Sequence, residues 1–367
     1  MNRDAVVDLL SQLVAVDSVN PSLVPGGAGE TEIARFIAEW ATGHGLGVEV
    51  LEQTPGRPSV VVRSRSPGRR TLLLCGHVDT VTVEGMTDPH APRVEGDRLY
   101  GRGAYDMKAG VAAALLACRE ADGIVVAAVA DEEHASLGVQ EALSSVRADA
   151  AVVTEPTEME VVVAHKGFVW AEIEVSGRAA HGSRPHLGED AIVKAGPVLS
   201  GIGEWDERLG ARTHPLLGRG SVHASLIEGG AEMSSYPARC VVKLERRTLP
   251  GENAAQVGHE VEETLERAGL RDAQYEILLV RDPFEVAEDA EIVGTVREAA
   301  TAATGEEPPI GGASYWADAA FIAGAGVPTV MYGPSGEGAH AAVEWVSVDD
   351  TVAVTRTLIE AARRLCA

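Results

Sequence analysis

Apolar residues follow two different patterns along the chain, and the change between them indicates two structural units. In residues 1–166, short continuous runs of Val, Leu, Ile and Ala alternate with segments whose apolar positions have helical spacing. Continuous apolar strands are typical of a sheet that helices cover on both faces. The helices predicted here are 5–16 and 31–43, and the predicted strands are 48–52, 59–63, 72–75, 124–130 and 150–154.

From residue 167 the pattern becomes that of half-exposed antiparallel strands, because polar and apolar residues alternate. Such strands are predicted at 168–175 and 238–245, with helices at 191–202 and 254–268. After Pro283 the first pattern returns, and it predicts helices at 290–303, 317–323 and 350–365 with a strand at 327–331. We therefore predict a discontinuous α/β domain, 1–166 and 283–367, with helices on both faces of a mixed sheet, and an inserted α+β domain, 167–282.

Bulk composition indicates a soluble cytoplasmic protein. The chain has 367 residues, enough for two domains, and a formal net charge of −24, which argues against nucleic acid and anionic membranes as partners. No apolar run is long enough for a membrane span, and the N-terminus does not resemble a signal peptide. The four cysteines show no Cys-x-x-Cys spacing, so reduced, buried thiols are favoured over disulfides.

Side chains of the types that bind metal ions recur where predicted strands end and in glycine-rich turns. They are His77, Asp79, Asp106, the acidic run 131–133, Glu155 and His340. In sheets of this kind, ligands bind beyond the carboxyl ends of the strands. Two imidazoles and several carboxylates that meet there would hold a pair of divalent metal ions. The sequence therefore indicates a metallohydrolase.

Each of these motifs has a simpler interpretation when it is taken alone. His77 and Asp79 share one face of a strand, so Asp79 would orient the imidazole, but a lone His-x-Asp pair is more often structural. The run 131–133 is either a solvated acidic turn before a helix or a metal ligand beside a general base. His181 by itself is a loop histidine, and Arg247 is either solvated or a clamp for a substrate carboxylate.

Other catalytic motifs are missing from the sequence. Gly333-Pro-Ser-Gly336 lacks the spacing of a serine nucleophile elbow, because Glu337 stands where a glycine is needed. There is no phosphate-binding loop, and Gly101-Arg-Gly103 has no third glycine for a dinucleotide fingerprint. Serine hydrolysis and nucleotide use are therefore not expected.

Seven motifs in order resemble the acetylornithine deacetylase, succinyl-diaminopimelate desuccinylase and carboxypeptidase G family of dinuclear zinc amidohydrolases. The resemblance runs from about residue 10 to 354, nearly the whole chain. The motifs are Gly-His-Val-Asp-Thr-Val (76–81), Gly-Arg-Gly-Ala-Tyr-Asp-Met-Lys-Ala-Gly (101–110), Asp-Glu-Glu (131–133), Glu-Pro-Thr (155–157), Ala-Ala-His-Gly-Ser-Arg-Pro (179–185), Arg-Thr-Leu-Pro-Gly-Glu (247–252) and Ala-His (339–340). This resemblance implies a zinc-exopeptidase-like catalytic domain and favours the functional interpretation of each motif.

Carried over to the matching positions, the resemblance implies two zinc ions per subunit, or cobalt in their place. It makes Glu132 the general base, places Asp79 behind His77, and implies a cis peptide bond between Asp106 and Met107. The ligands it implies are His77, Asp106 and Glu155 for one ion, and Asp106, Glu133 and His340 for the other.

The resemblance also makes the inserted domain a lid through which two subunits form a homodimer. His181 would enter the partner subunit's site, and Arg247 would anchor the carboxylate of the substrate. The expected substrates are N-acyl-amino acids, with acetylornithine-type deacetylation as one case. The alternatives are a dipeptidase or carboxypeptidase of the same family, and a non-catalytic metal-dependent binding protein on this fold.

Three positions bear on the choice of substrate. Ser234 stands where the family often has Asn, so a substrate hydrogen bond at that position is in doubt. Trp316 precedes the family's aspartate, Asp318, and would be a wall of the pocket. Glu337 lies three residues before His340, where it would either favour a cationic substrate side chain or be a solvated loop residue.

Overall fold

The computed structural model describes residues 2–367, and these form two compact units. The first unit comprises the described part of Met1–Val163 together with Val286–Gly311 and Ala317–Ala367. The second comprises Ala164–Glu285 and Gly312–Trp316. The chain thus leaves the first unit after Val163 to build most of the second, returns at Val286, and adds the short segment Gly312–Trp316 to the second unit.

The helices and strands alternate through the first unit, whereas strands dominate the second. The helices are, in chain order, α1 (Arg3–Ala15), α2 (Thr31–Gly43), α3 (Ala109–Glu120), α4 (Leu137–Ser145), α5 (Ala191–Leu209), α6 (Ala254–Arg267), α7 (Glu291–Thr304), α8 (Ala319–Gly324) and α9 (Val348–Leu365), and a π-helical turn spans Ala104–Lys108.

The strands are, in chain order, β1 (Gly47–Leu51), β2 (Ser59–Arg63), β3 (Leu72–His77), β4 (Arg93–Glu95), β5 (Arg98–Tyr100), β6 (Ile124–Val129), β7 (Ala150–Val153), β8 (Val161–His165), β9 (Gly167–Ser176), β10 (Thr213–His214), β11 (Gly218–Arg219), β12 (Ser221–Gly229), β13 (Arg239–Thr248), β14 (Gln274–Arg281), β15 (Phe284–Glu285), β16 (Ile310–Ala313), β17 (Thr329–Met331), β18 (Gly336–Glu337) and β19 (Trp345–Ser347).

The first unit is built on a mixed sheet with the strand order β1-β2-β6-β3-β7-β17-β8. Neighbours from β6 to β17 are parallel, while β1, β2 and β8 run antiparallel to the strand beside them. Every residue of β3, β6 and β7 is buried. Helix α3 packs on β3, β6 and α9, and α4 packs on β6 and α8. The predicted α/β class with a mixed sheet is therefore confirmed.

A small second sheet in the same unit positions two loops. Its strand order is β18-β19-β5-β4. β5 leads directly into the glycine-rich segment 101–108, and β18 and β19 form a hairpin around the segment 338–344. Because β5 and β19 are paired neighbours, the two loops leave adjacent strands of one sheet.

The second unit contains an antiparallel sheet with the order β12-β13-β9-β14. Buried and exposed residues alternate along β9, as the sequence pattern predicts. Helix α5 packs against β12, β13 and α6, and its buried residues Val198, Ile202 and Trp205 join a core with Ile173 and Val242 of the sheet.

Helix α3 is the largest element that the pattern of apolar residues fails to predict. Its residues from Ala109 to Cys118 are all buried, so it has no polar face and no amphipathic spacing. Gly110 lies where the helix begins, and a Cβ atom there would be 2.0 Å from the backbone oxygen of Thr154. This close approach seats α3 against the end of β7.

Two further sequence predictions concern cysteines and membranes. Cys75, Cys118, Cys240 and Cys366 are buried and form no disulfide in the structure. None of the helices within residues 2–367 combines the length and the apolar character needed to cross a bilayer.

Candidate metal centre

His77 is the last residue of β3, and its imidazole is buried. Its Nδ1 lies 3.0 Å from the backbone oxygen of Asp79, and its Nε2 lies 3.1 Å from Oδ1 of Asp106. A glycine at position 76 lets β3 pack closely against Met107, because a Cβ atom there would lie 2.7 Å from the Met107 side chain. The strand end therefore aims one imidazole nitrogen at the carboxylate of Asp106.

Asp106 lies in the π-helical turn that follows β5, and its peptide bond to Met107 is cis, as the resemblance implies. The turn begins at Gly103, whose φ of +75° suits glycine. Oδ1 of Asp106 faces Nε2 of His77, and Oδ2 lies 3.3 Å from Nε2 of His340. One carboxylate thus contacts both imidazoles through different oxygens, which is the arrangement of a bridging ligand.

Two groups of three side chains meet around Asp106. Within each group the candidate ligand atoms lie within 4.8 Å of one another. Glu155, just after β7, has Oε1 3.9 Å from Nε2 of His77, and Glu133 has Oε2 3.2 Å from Nε2 of His340. The groups are His77, Asp106 and Glu155, and Asp106, Glu133 and His340.

The donor set suits zinc-class divalent ions, because imidazole nitrogens and carboxylate oxygens are their usual ligands besides thiolates. Burial raises the pKa of Glu155 to about 8, and the nearby carboxylate of Asp106 adds to this. Burial likewise raises the pKa of Glu132 and of Glu133. Carboxylates gathered out of water repel one another, and a divalent cation would offset that repulsion. The residues present therefore fit a metal pair.

The pKa values of the two imidazoles are raised as well. Hydrogen bonds to Asp106 and Glu133 raise the pKa of His340 to about 10. Burial lowers the pKa of His77, but the hydrogen bonds to Asp106 and Asp79 outweigh it and raise the pKa. A raised pKa favours the charged form of an imidazole, which is the form that pairs with a carboxylate.

Asp79 is fully buried and holds the turn that carries Glu132 and Glu133. Its Oδ1 accepts the backbone N–H of Glu132 at 3.1 Å, and its Oδ2 accepts that of Glu133 at 3.3 Å. Toward His77, the backbone oxygen of Asp79 lies closer to Nδ1 than its carboxylate does, 3.0 Å against 3.6 Å. The carboxylate of Asp79 therefore orients the acidic turn at least as directly as it orients the imidazole.

A buried polar network behind Asp79 is missed by sequence reasoning. Arg57 donates to both oxygens of Glu30 at 2.7 Å and to Oδ1 of Asp131 at 2.6 Å. Asn20 donates from Nδ2 to Asp79 at 2.8 Å and to Asp131 at 3.0 Å. Their partners are 27 to 111 residues away in sequence, so local spacing gives no signal for them.

The other residues singled out from the sequence, His181, Ser234 and Arg247, lie in the second unit. His181 is exposed and its Nδ1 is 2.8 Å from Oγ of Ser183. The exposed Ser234 accepts the N–H of Gly182 through its backbone oxygen at 2.7 Å. Arg247 is half-buried, with Nε 2.7 Å from Oε1 of Glu245 and its guanidinium 5.0 Å above the ring of Phe168.

Trp316 and Asp318, two positions apart in sequence, belong to different units. The Trp316 indole donates to the backbone oxygen of Asp282 and packs edge-on against Phe168 in the second unit. Asp318 is buried in the first unit and contributes to the raised pKa of Glu132. Glu337 is exposed on β18.

Comparison with known proteins agrees with this geometry. The sequence profile described as Peptidase family M20/M25/M40 matches residues 73–364. The chain belongs to this family, and the protein is therefore a metal-dependent hydrolase of C–N amide bonds.

Relatives match over nearly the full length. An acetylornithine deacetylase of Myxococcus xanthus is 30% identical over 381 residues, covering 97% of this chain and 96% of its own. An M20 family metallo-carboxypeptidase of Sulfolobus solfataricus superposes with a TM-score of 0.78 at 20% identity, covering 98% of both chains. A dinuclear metal-binding M20 peptidase of Bacillus subtilis superposes with a TM-score of 0.74 at 15% identity, covering 99% and 98%. These two structures share the fold.

Proposed function

We propose that the protein is a dinuclear deacylase that hydrolyses the amide bond of N-acyl-amino acids, with zinc as its metal and cobalt as a substitute. The observation that carries the proposal is the carboxylate of Asp106, whose two oxygens contact His77 and His340 separately. The acetylornithine deacetylase of Myxococcus xanthus, 30% identical, supports the acyl-amino-acid class.

The two groups around Asp106 would each hold one ion, with His77 and Glu155 on one side and Glu133 and His340 on the other. Bound ions of this kind polarise the amide carbonyl and lower the pKa of water, so that hydroxide is available near neutral pH. The protein contributes the fixed positions of the ligands, because β3, the turns after β6 and β7, and the two loops of the small sheet carry them.

Glu132 would act as the general base of the reaction. It follows Asp131 in the turn after β6, and its backbone is held by Asp79. Adjacent residues point in different directions, so Glu133 binds metal while Glu132 remains for proton transfer. Glu132 accepts a proton from the attacking water and delivers it to the leaving amine as the C–N bond breaks.

The second unit would complete the site as a lid. His181 would stabilise the oxyanion in the partner subunit's site, and Ser234 would contact substrate. The Nε of Arg247 donates a hydrogen bond to Glu245. Its two Nη groups would bind the substrate carboxylate in a bidentate contact. Residues 1–166 with 283–367 would thus be the catalytic domain, and 167–282 the lid and dimerisation domain.

A homodimer through the second unit is supported by an apolar sheet edge. β12 is one of the two edge strands of its sheet, and Leu226 and Ile227 are 57% and 51% exposed. An edge strand with exposed apolar residues is suited to pairing with another chain. We also propose a cytoplasmic location, because the cysteines are unpaired.

Leu226→Glu is expected to convert the dimer to a monomer, because it places charge in the apolar edge. The measurement is the mass in solution by sedimentation equilibrium. Val50→Glu is the matched control, since Val50 is 52% exposed on β1, an edge strand of the mixed sheet in the first unit. A Leu226→Glu protein that stays dimeric, or a wild-type monomer, would contradict this interface.

Primary-amine release from a panel of N-acyl-amino acids and dipeptides tests the proposed activity. The zinc- or cobalt-loaded protein is expected to release amine from acyl-amino acids, to lose activity with a chelator, and to regain it when metal returns. Preference for dipeptides would favour the peptidase alternative, which the fold shared with the Sulfolobus solfataricus carboxypeptidase supports. Metal binding without turnover of any member would favour a binding protein.

A further inference from the structure

Glu344 is a buried acid in the hairpin loop between β18 and β19, and its carboxylate accepts four hydrogen bonds. Its Oε2 accepts from Nη1 of Arg102 at 2.6 Å and from the backbone N–H of Gly103 at 3.0 Å. Its Oε1 accepts from the backbone N–H groups of Tyr105 and Asp106 at 2.9 and 3.1 Å. Only 1% of Glu344 is exposed, so water does not provide these contacts.

Arg102 extends the same contact to two further segments. It is 2% exposed and donates from Nε to the backbone oxygen of Thr82 at 3.0 Å. Its Nη2 donates to the backbone oxygen of Ala341, the residue after His340, at 2.9 Å. One guanidinium therefore joins the segment that follows β3, the loop of Asp106 and the loop of His340.

We propose that Glu344 and Arg102 are positioning residues that set the metal-binding geometry before any ion binds; this inference rests on the proposed metal centre. The turn of Asp106 departs from helical backbone angles at Asp106 and Met107, and one backbone hydrogen bond closes it, from the N–H of Lys108 to the oxygen of Gly103 at 2.8 Å. Glu344 supplies the acceptors for three of its amides, and Arg102 ties the turn to the loop of His340. Since Asp106 is shared by both groups, any shift of this turn displaces a ligand of both ions.

The donors around Glu344 make even an isosteric substitution disruptive. Each carboxylate oxygen faces two donors. In Glu344→Gln, either orientation of the amide places an NH₂ group against two N–H donors, and the buried Arg102 loses its counter-charge. The variant keeps the volume of the side chain and alters only the contacts that hold the turn.

Glu252 offers a matched control in the second unit. It is 6% exposed, and its Oε2 accepts the N–H of Leu249 at 2.8 Å and lies 3.1 Å from Nη2 of the buried Arg246. Glu252→Gln therefore breaks a similar buried pair that touches none of the candidate ligands. Comparing the two variants separates a loss of fold stability from an effect on metal binding.

The test is a titration of the metal-free proteins with Co²⁺, monitored by calorimetry and by the cobalt absorption bands. A thermal melt of each protein is measured as well. We expect Glu344→Gln to bind both ions about 10- to 100-fold more weakly and with altered bands. Glu252→Gln is expected to keep the wild-type affinity and bands. If Glu344→Gln and the wild type bound two ions each with equal affinity, the positioning role of Glu344 would be overturned, and the proposed metal centre would stand. A wild-type protein that binds no metal pair would overturn the proposed metal centre, and this inference with it.

Arg102→Lys is the second variant, for use if Glu344→Gln does not fold. Lysine keeps the positive charge beside Glu344. Its single ammonium group cannot also donate to the backbone oxygens of both Thr82 and Ala341, as the guanidinium does. We expect weaker binding of the ion assigned to Glu133 and His340, with a smaller change at the other. Unchanged affinity for both ions would show that the guanidinium does not position the loops.

Discussion

Glu132→Gln is expected to lower turnover by about 10²- to 10⁴-fold while two metal ions stay bound, since general-base catalysis typically contributes that much. Glutamine has nearly the same shape as glutamate but cannot accept the proton from water. The backbone N–H of Glu132 would still donate to Asp79, so the turn would keep its position. The measurement is kcat on the best substrate of the panel, with metal content measured on the same sample.

Glu133→Gln is the contrasting variant for this prediction. Its side chain lies 3.2 Å from His340 and belongs to one of the two ligand groups. Replacing it is expected to weaken metal binding, and excess metal should restore part of its activity. Near-normal turnover by Glu132→Gln, or loss of its metal, would remove Glu132 from the role of general base.

Arg57→Met is expected to lower the free energy of unfolding by about 3–5 kcal/mol, the usual cost of removing one member of a buried ion pair. The Arg57 side chain is 8% exposed and contacts Glu30 and Asp131, whose side chains are both 0% exposed. Methionine fills much of the same volume but leaves two carboxylates buried without their cation. Urea denaturation of the metal-free protein measures the change.

Arg63→Met is the control for Arg57→Met. Arg63 lies on β2, a few residues further along, and forms a 3.3 Å ion pair with Glu49 whose side chains are 42% and 45% exposed. Loss of such a surface pair is expected to cost about 0–1 kcal/mol. If both substitutions changed stability equally, the network around Arg57 would have no special role in the fold.

Local features of the sequence predicted the sheet of the first unit well. Strands β2, β3, β6 and β7 are buried along nearly their whole length, and their continuous apolar runs stand out from the flanking polar residues. Helix α3 is equally buried, yet the spacing of apolar residues does not predict it, because a helix without a polar face has no amphipathic pattern. Periodicity therefore detects half-buried helices and fully buried strands better than fully buried helices.

The same distinction applies to the candidate site. His77 and Glu155 end or follow apolar strands, so their residue types and positions could be recognised locally. Arg57, Asn20 and Glu344 act through partners distant in sequence, and the contact of Glu344 with Asp106 spans 238 residues. No spacing rule connects residues so far apart. The candidate metal ligands can be predicted from the sequence, whereas Arg57, Asn20 and Glu344 cannot.

That long span also sets the order in which the site can assemble during synthesis. β5 and the turn of Asp106 leave the ribosome early, whereas their partner strand β19 follows the whole second unit. Until the loop just before that strand emerges, the nascent chain carries His77 and a group of carboxylates with neither His340 nor Glu344. Metal capture by the completed pair of groups therefore has to wait until the second unit and the loop of His340 have been made.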